Sequence, residues 1–121
     1  NMVGHPKHVA KALAVGVDII CAQGAEAGGH IGSIPTSLLL PKCVDLCRNA
    51  KMTLFPQYTV PVVGAGGIYD GRGLAMALSF GADAVWVGTR FVATYEAGAT
   101  LGHKQAICDS DWERPQPTLV Y

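Results

Sequence analysis

The sequence predicts an α/β fold built on a parallel sheet. An amphipathic helix pattern over residues 6–15 ends at Gly16, and a short apolar run over residues 17–22 follows at once. The same order of helix, glycine and apolar run recurs over residues 76–88. Each apolar run leads into a glycine-rich loop. Repeated helix–strand units with short loops imply right-handed crossovers and therefore parallel strands.

The first unit of this pattern begins with a helix over residues 6–15. Pro6 suits its first turn, and Gly16 suits a left-handed cap at its end. The inner face of the helix has apolar residues at helical spacing, namely Val9, Ala12 and Leu13. Residues 17–22 are nearly continuously apolar, which is typical of a strand buried on both faces. Residues 23–35 then form a glycine-rich loop.

The second unit comprises a helix over about residues 38–50 and a strand over residues 60–65. Pro56 interrupts the segment between them, which we expect to be a loop. The strand ends in a pair of glycines. Asp70 then has the side chain and the position of an N-cap for a third helix, over about residues 71–80.

The last unit consists of a strand over residues 82–87 followed by a helical stretch from Phe91 or Val92 towards Ala106. We expect residues 1–108 to form the ordered domain. Residues 109–121 show no clear periodicity and are expected to be an irregular tail.

Composition narrows the class of protein. Half of the 121 residues are apolar and the formal net charge is zero, which argues against a nucleic-acid binder and against disorder. No apolar run approaches the roughly 18 residues of a membrane span, so no membrane partner is expected. Cys43 and Cys47 have no histidine at metal-site spacing, so no metal ligands are predicted. The four cysteines are expected to be reduced structural thiols. We therefore expect an intracellular protein, in the cytoplasm.

The loops distinguish a closed barrel from an open doubly wound sheet. Residues 64–69 do not complete the G-x-G-x-x-G pattern of an open nucleotide-binding sheet. Instead Gly66-Gly67 follows one predicted strand and Gly88-Thr89 follows the next. Backbone amides freed by glycine, with a threonine hydroxyl, can hold a phosphate dianion. Such a site after adjacent strands is typical of strands seven and eight of a barrel.

Three motifs, taken together and in this order, are specific. They are Gln-Gly-x-Glu-Ala-Gly-Gly-His-x-Gly at residues 23–32, Val-Pro-Val-Val-Gly-Ala-Gly-Gly-Ile-x-Asp-Gly-Arg-Gly at residues 60–73, and Gly-Ala-Asp-Ala-Val-x-Val-Gly-Thr-Arg-Phe at residues 81–91. This combination resembles the nitronate monooxygenase family, also called 2-nitropropane dioxygenase. The resemblance extends from about residue 9 to residue 107.

The resemblance implies a (β/α)8 TIM barrel that holds FMN without a covalent bond. Only about the last three β/α units of such a barrel are present, since a complete one needs about 250 residues. We therefore expect the chain to be a partial barrel, the C-terminal portion of an FMN-binding domain. Its expected partners are a complementary N-terminal half or further copies of itself, because open sheet edges and an exposed apolar face favour association.

The resemblance also implies which residues contact FMN. Gln23 and Gly28 match flavin-contacting positions of the first motif. The phosphate loops after strands seven and eight correspond to Gly66, Gly67, Trp86, Val87, Gly88 and Thr89. Many family members have glutamine at the position of Trp86, so a backbone contact is expected there rather than a side-chain contact.

His30 matches the catalytic histidine of the family. Imidazole can accept a proton from a carbon acid near neutral pH. The implied reaction is FMN-dependent oxidation of an alkyl nitronate or nitroalkane by molecular oxygen, giving a carbonyl compound and nitrite. Glu26 is expected to anchor its loop by hydrogen bonds rather than to act as a second acid–base group. Arg72 and Arg90 could each approach an anion.

Two other functions agree with the same residues. Flavin-dependent enoyl-acyl-carrier-protein reductases carry very similar motifs and use a nicotinamide cofactor to reduce the flavin. Alternatively, the chain is an inactive fragment that retains only a phosphate-binding surface.

Overall fold

The structure is a computed structural model that describes residues 1–111. It divides into two compact units, residues 1–88 and a second unit that begins at Thr89. The first unit contains the sheet and three helices, and the described part of the second contains two helices. Most of the expected irregular tail, residues 112–121, lies outside the described residues.

The four strands of the first unit form one parallel sheet, in which the spatial order of the strands is their order along the chain. The strands are β1 (Met2–Val3), β2 (Ile20–Gln23), β3 (Val62–Ala65) and β4 (Ala84–Trp86). The predicted α/β class and parallel sheet are confirmed, with each predicted strand shorter than its apolar run. The sequence does not predict β1, because two residues carry no periodic signal; pairing with Cys21 and Ala22 defines it.

The helices of the first unit lie close to their predicted bounds. They are α1 (Pro6–Ala14), α2 (Thr36–Cys47) and α3 (Gly71–Ser79). Gly16 follows α1 with a φ of 81°, the left-handed conformation predicted for it. His5 is half-buried and caps α1, because its Nδ1 atom accepts from the Lys7 amide at 3.1 Å.

The second unit contains two helices, α4 (Thr89–Val92) and α5 (Leu101–Asp109), where the sequence pattern predicts one. The break has a local cause. Thr100 has extended backbone, and its Oγ1 atom accepts from the His103 amide at 3.3 Å, so it starts a new helix as an N-cap. None of the helices among residues 1–111 combines the length and the apolar character that crossing a membrane requires.

The core lies between one face of the sheet and helices α1 to α3. Ile20 and Val62 are almost fully buried there, on β2 and β3. Gly64 lets two helices approach the same face, because a Cβ at this position would lie 2.9 Å from Cδ2 of Leu40 on α2 and 3.4 Å from Cβ of Ala77 on α3. All three crossover helices therefore share one side of the sheet.

The opposite face of the sheet carries side chains of mixed exposure. Cys21 and Ala65, in the middle of the sheet, are buried. At the two edges Met2 and Trp86 are 47% and 57% exposed. The exposed apolar face expected from the sequence is therefore present only at the two edges of the sheet, on the side opposite α1 to α3.

The four cysteines are free thiols, three of them buried and Cys108 exposed. Burial raises the pKa of the Cys43 thiol to about 11, and the neighbouring Cys47 adds to the shift. Burial also raises the pKa of Cys21 and of Cys47. These three side chains pack as small apolar groups, in agreement with the expected structural role.

Truncation of Leu40 tests the core. Leu40→Ala should lower the free energy of unfolding by about 2–5 kcal/mol, because it leaves a cavity between α2 and the sheet. The control is Leu38→Ala on the same helix, where the side chain is 66% exposed and the change should stay within about 0.5 kcal/mol. Urea denaturation measures both variants. Equal losses of unfolding free energy in Leu40→Ala and Leu38→Ala would contradict the assigned packing.

Thiol labelling tests the burial of the cysteines. With a pKa of about 11, only about one Cys43 side chain in a thousand is a thiolate at pH 8, and solvent does not reach it. At that pH a disulfide reagent should modify Cys108 rapidly and the other three only after denaturation. Mass spectrometry identifies the modified residue. Rapid labelling of Cys43 in the native protein would refute this arrangement.

Candidate functional site

Three glycine-rich loops meet at one edge of the sheet. They follow β2, β3 and β4, and parallel pairing brings the carboxyl ends of these strands to the same side. The strands also end level with one another, since Gln23 pairs with Ala65 and Ala65 pairs with Trp86. In open and closed α/β sheets alike this edge is where ligands bind. The structure thus brings together the parts of the predicted site that belong to the first unit.

The loop after β3 turns sharply at Gly66 and Gly67, whose φ angles are 104° and 70°. Side chains other than glycine rarely adopt this left-handed conformation. Gly67 is exposed, and the Cβ that it lacks would contact only the Glu26 side chain, at 3.3 Å. Gly67 therefore leaves backbone accessible at the sheet edge, and backbone amides in such a turn can bind an anion.

The loop after β2 is held at its base and exposed at its tip. The Ala25 amide donates to Ile34 O at 2.9 Å across the loop. Gln23 Nε2 donates to Gly28 O at 3.1 Å, so this predicted flavin contact also braces its own loop. His30 lies at the exposed tip, after two exposed glycines. This residue is therefore accessible from solvent.

Glu26 anchors this loop, as the sequence predicts. Its carboxylate accepts from the Thr36 amide, at 2.9 Å to Oε2 and 3.2 Å to Oε1, and from the Thr36 hydroxyl at 2.9 Å. Thr36 is the first residue of α2, so the carboxylate caps that helix from outside it. A negative charge is favourable at this end of a helix. This cap explains why α2 begins at Thr36, two residues before its predicted start.

Thr36 is the residue at this edge of the sheet that sequence reasoning misses. Among the described residues it is the only polar one that is buried. Its hydroxyl lies 3.0 Å from Gly66 O and thus connects the loops after β2 and β3. The available signal is the position of a threonine directly after Pro35, at the start of an apolar helical run.

The loop after β4 presents backbone rather than side chains. Val87 is half-buried and packs against the core. Gly88 is exposed, and a Cβ there would meet no atom within 4 Å. Trp86 lies on the face of the sheet opposite the helices, in the same register row as Gln23. Thr89 begins α4, in the second unit, and Arg90 is exposed in the same helix.

Asp70 is the N-cap of α3, as predicted. Its Oδ1 atom accepts from the Arg72 amide at 3.0 Å and from the Gly73 amide at 3.1 Å. These bonds favour the carboxylate, so the Gly73 amide above all lowers the pKa of Asp70 below its ordinary value, with smaller contributions from Arg72. Arg72 Nε lies 3.3 Å from the Asp70 carboxylate and is thus paired within its own helix.

Within residues 1–111, histidine, cysteine, aspartate and glutamate side chains do not gather in groups of three that could hold a metal ion.

Comparison with protein families gives one match that covers nearly the whole chain. A family model described as nitronate monooxygenase matches residues 2–116. A nitronate monooxygenase of Neurospora crassa is 38% identical over 109 residues, which are 90% of this chain and 28% of that protein. A (3aS,4S,5R,7aS)-5-hydroxy-7a-methyl-1-oxo-octahydro-1H-indene-4-carboxyl-CoA dehydrogenase of Rhodococcus jostii is 45% identical over 95 residues, 78% of this chain and 24% of that protein.

Solved structures with a similar fold include two enzymes. FabK from Thermotoga maritima superposes with a TM-score of 0.76 and 36% identity, over 90% of this chain and 32% of that one. A nitroalkane oxidase from Streptomyces ansochromogenes gives a TM-score of 0.71 and 38% identity, over 87% and 30%. The chain spans about a quarter to a third of the length of the proteins it matches.

Removal of the cap on α3 tests the electrostatics of this edge. Because the folded-state pKa of Asp70 is lower than its ordinary value of 3.8, its stabilising effect is complete above that value and is lost as the pH falls through the lower folded-state pKa. Asp70→Ala should therefore unfold more easily than the wild type at pH 7, and the difference should shrink below about pH 4. Chemical denaturation over a pH series measures this difference in stability.

Asp70→Asn is the control for this series. Asparagine keeps a capping oxygen but does not titrate. Its stability relative to Asp70→Ala should not change between pH 7 and pH 3. A constant difference between wild type and Asp70→Ala over that range would refute the role of the charge.

Proposed function

Because the chain belongs to the nitronate monooxygenase family, we propose that it carries the cofactor-binding and proton-transfer edge of an FMN-dependent nitronate monooxygenase. One observation carries this proposal. The exposed His30 loop and the Gly66–Gly67 turn lie on neighbouring strands, at the edge of the sheet where α/β enzymes bind their ligands.

The proposed architecture is a partial (β/α)8 barrel, with residues 1–108 as its C-terminal portion. Two features support it. The strands follow chain order without a reversal, and the helices α1 to α3 cover only one face, whereas a doubly wound sheet has helices on both faces. The other face would then point to the barrel interior. Four strands do not close a barrel, so the proposed partner is a complementary N-terminal half or further copies of the chain.

The proposed cofactor is FMN, since membership of the family implies a flavin. Two observations support the fit of its phosphate: Gly67 and Gly88 are exposed glycines with accessible backbone, and Gly66 has the positive φ that forms the turn before Gly67. We assign the phosphate to these glycines with the backbone of Trp86, Val87 and Thr89, and the flavin ring to Gln23 and Gly28. When bound, FMN supplies the redox chemistry.

The proposed role of His30 is to accept a proton from the carbon next to the nitro group of a neutral nitroalkane. This proton is acidic because the resulting nitronate spreads its charge over the two oxygens of the nitro group. An exposed imidazole at a loop tip can reach such a carbon, and the half-buried Gln23 and the anchor Glu26 keep the loop base in place. Molecular oxygen is the second substrate, and a carbonyl compound and nitrite are the products.

A second candidate is the dehydrogenation of a CoA thioester. The observation that favours it is the 45% identity to the carboxyl-CoA dehydrogenase of Rhodococcus jostii, which exceeds the 38% identity to the nitronate monooxygenase of Neurospora crassa. The carbon next to a thioester carbonyl is also acidic, so His30 could serve as the base in the same way. Two further alternatives are tested with these, namely a flavin-dependent enoyl-thioester reductase and an inactive fragment that retains only a phosphate-binding surface.

One set of assays separates these functions. The purified protein is mixed with FMN, freed of unbound flavin, and its visible spectrum is recorded. Oxygen-dependent nitrite release from an alkyl nitronate supports the first proposal. Reduction of an artificial electron acceptor with an acyl-CoA supports the second. Consumption of NADH or NADPH with an enoyl thioester indicates the reductase, and the lack of a flavin spectrum indicates the inactive fragment.

The variant His30→Asn tests the proposed base. It should lower nitrite release from a neutral nitroalkane by at least about a hundredfold, the usual range for removal of a general base. A preformed nitronate needs no deprotonation and should retain most of its turnover. FMN binding should also persist. The control His8→Asn, on the exposed side of α1, should behave as the wild type. Undiminished turnover of the nitroalkane by His30→Asn would overturn the assignment.

A further inference from the structure

Glu26 and Thr36 connect the loop that carries His30 to the loop that carries Gly66. Glu26 lies four residues before His30, and Thr36 ends the same loop as the first residue of α2. The Thr36 hydroxyl bonds to the Glu26 carboxylate at 2.9 Å and lies 3.0 Å from Gly66 O. The pair therefore contacts both loops.

The Thr36 hydroxyl has one proton and three acceptors around it. Besides Glu26 Oε2 and Gly66 O, the Ala65 carbonyl lies at 3.4 Å. Carbonyl oxygens and carboxylates only accept, so the hydroxyl can donate to one of them at a time. The bond to the carboxylate is charge-assisted and the stronger one. A shift of the Gly66 peptide therefore alters the competition for the proton that holds Glu26.

The two loops approach this hydroxyl closely at glycines. A Cβ on Gly24 would lie 2.0 Å from Thr36 Oγ1, and a Cβ on Gly66 would lie 2.9 Å from it. Thr36 is only 3% exposed. Its side chain thus fills the space between two stretches of bare backbone, and neither loop can move past the other without breaking a contact with it.

We propose that Glu26 and Thr36 are positioning residues that hold the His30 loop against the Gly66–Gly67 turn. Through them, a phosphate group bound at the turn also orders the loop that carries His30. The holding role concerns this chain by itself. The coupling to a bound phosphate group rests on the proposed function, since it takes the phosphate of FMN as the ligand.

Hydrogen exchange of the protein without FMN tests the holding role. The probes are the amides of Ala25, Ala27 and Thr36, whose hydrogen bonds close the loop. Glu26→Ala and Thr36→Val should each speed their exchange about tenfold, the effect of losing one charge-assisted bond on local opening. Thr36→Ser keeps the hydroxyl and should restore the wild-type rates.

The control for this experiment is Ser37→Ala, at the next, exposed position of α2. It should leave the exchange of the loop amides unchanged. The amides of β2 and β3 report global unfolding and should stay protected in every variant, which separates loop opening from loss of the fold. Wild-type rates for the loop amides in Thr36→Val would overturn the holding role.

Titration with FMN tests the coupling. In the wild type, FMN should slow exchange at Ala25 and Ala27, although the phosphate is assigned to the other loop. In Thr36→Val the FMN dissociation constant should rise about tenfold, and the slowing at these two amides should disappear. Equal slowing in both proteins would overturn the coupling. Absence of FMN binding to the wild type would overturn the proposed function and the coupling, whereas exchange without FMN decides the holding role independently.

Discussion

Burial of one face of the sheet beneath α1 to α3 is the constraint on which the rest of the structure depends. Parallel strands are joined only by crossovers, and each crossover helix must cover the apolar side chains that the strands present. Ile20, Val62 and Leu40 form the centre of that contact. Since the strands also follow chain order, all their carboxyl ends lie at one edge, and three loops that are distant in sequence become neighbours.

The same constraint explains the other face of the sheet. With α1 to α3 on one side, the side chains of Met2 and Trp86 on the other face remain about half exposed. A barrel buries such a face by closing the sheet on itself, so its interior is filled by side chains from other strands. The exposed edges of this face and the one-sided helices α1 to α3 thus both agree with the proposed barrel architecture.

At the sheet edge, rigidity and exposure are divided between different residues. The tip of the loop after β2 presents His30 to the surface, while its base is bonded to buried Thr36 through Glu26. An exposed residue on an anchored loop suits the role proposed for His30, which is to meet a substrate and exchange a proton. Glycine at position 24 is a consequence of this arrangement, because the Thr36 hydroxyl occupies the space of its Cβ.

The sequence by itself determined the order of the helices and strands, the parallel sheet and the three glycine loops, because periodicity and caps such as Asp70 are local signals. It also identified Glu26 as an anchor, but not the partner of that anchor. Only the tertiary structure decided that Thr36 is that partner, and that it reaches Gly66, since the contact joins residues 30 positions apart. The strand β1 likewise required the tertiary structure, because two residues become a strand only when a neighbouring strand supplies their hydrogen bonds.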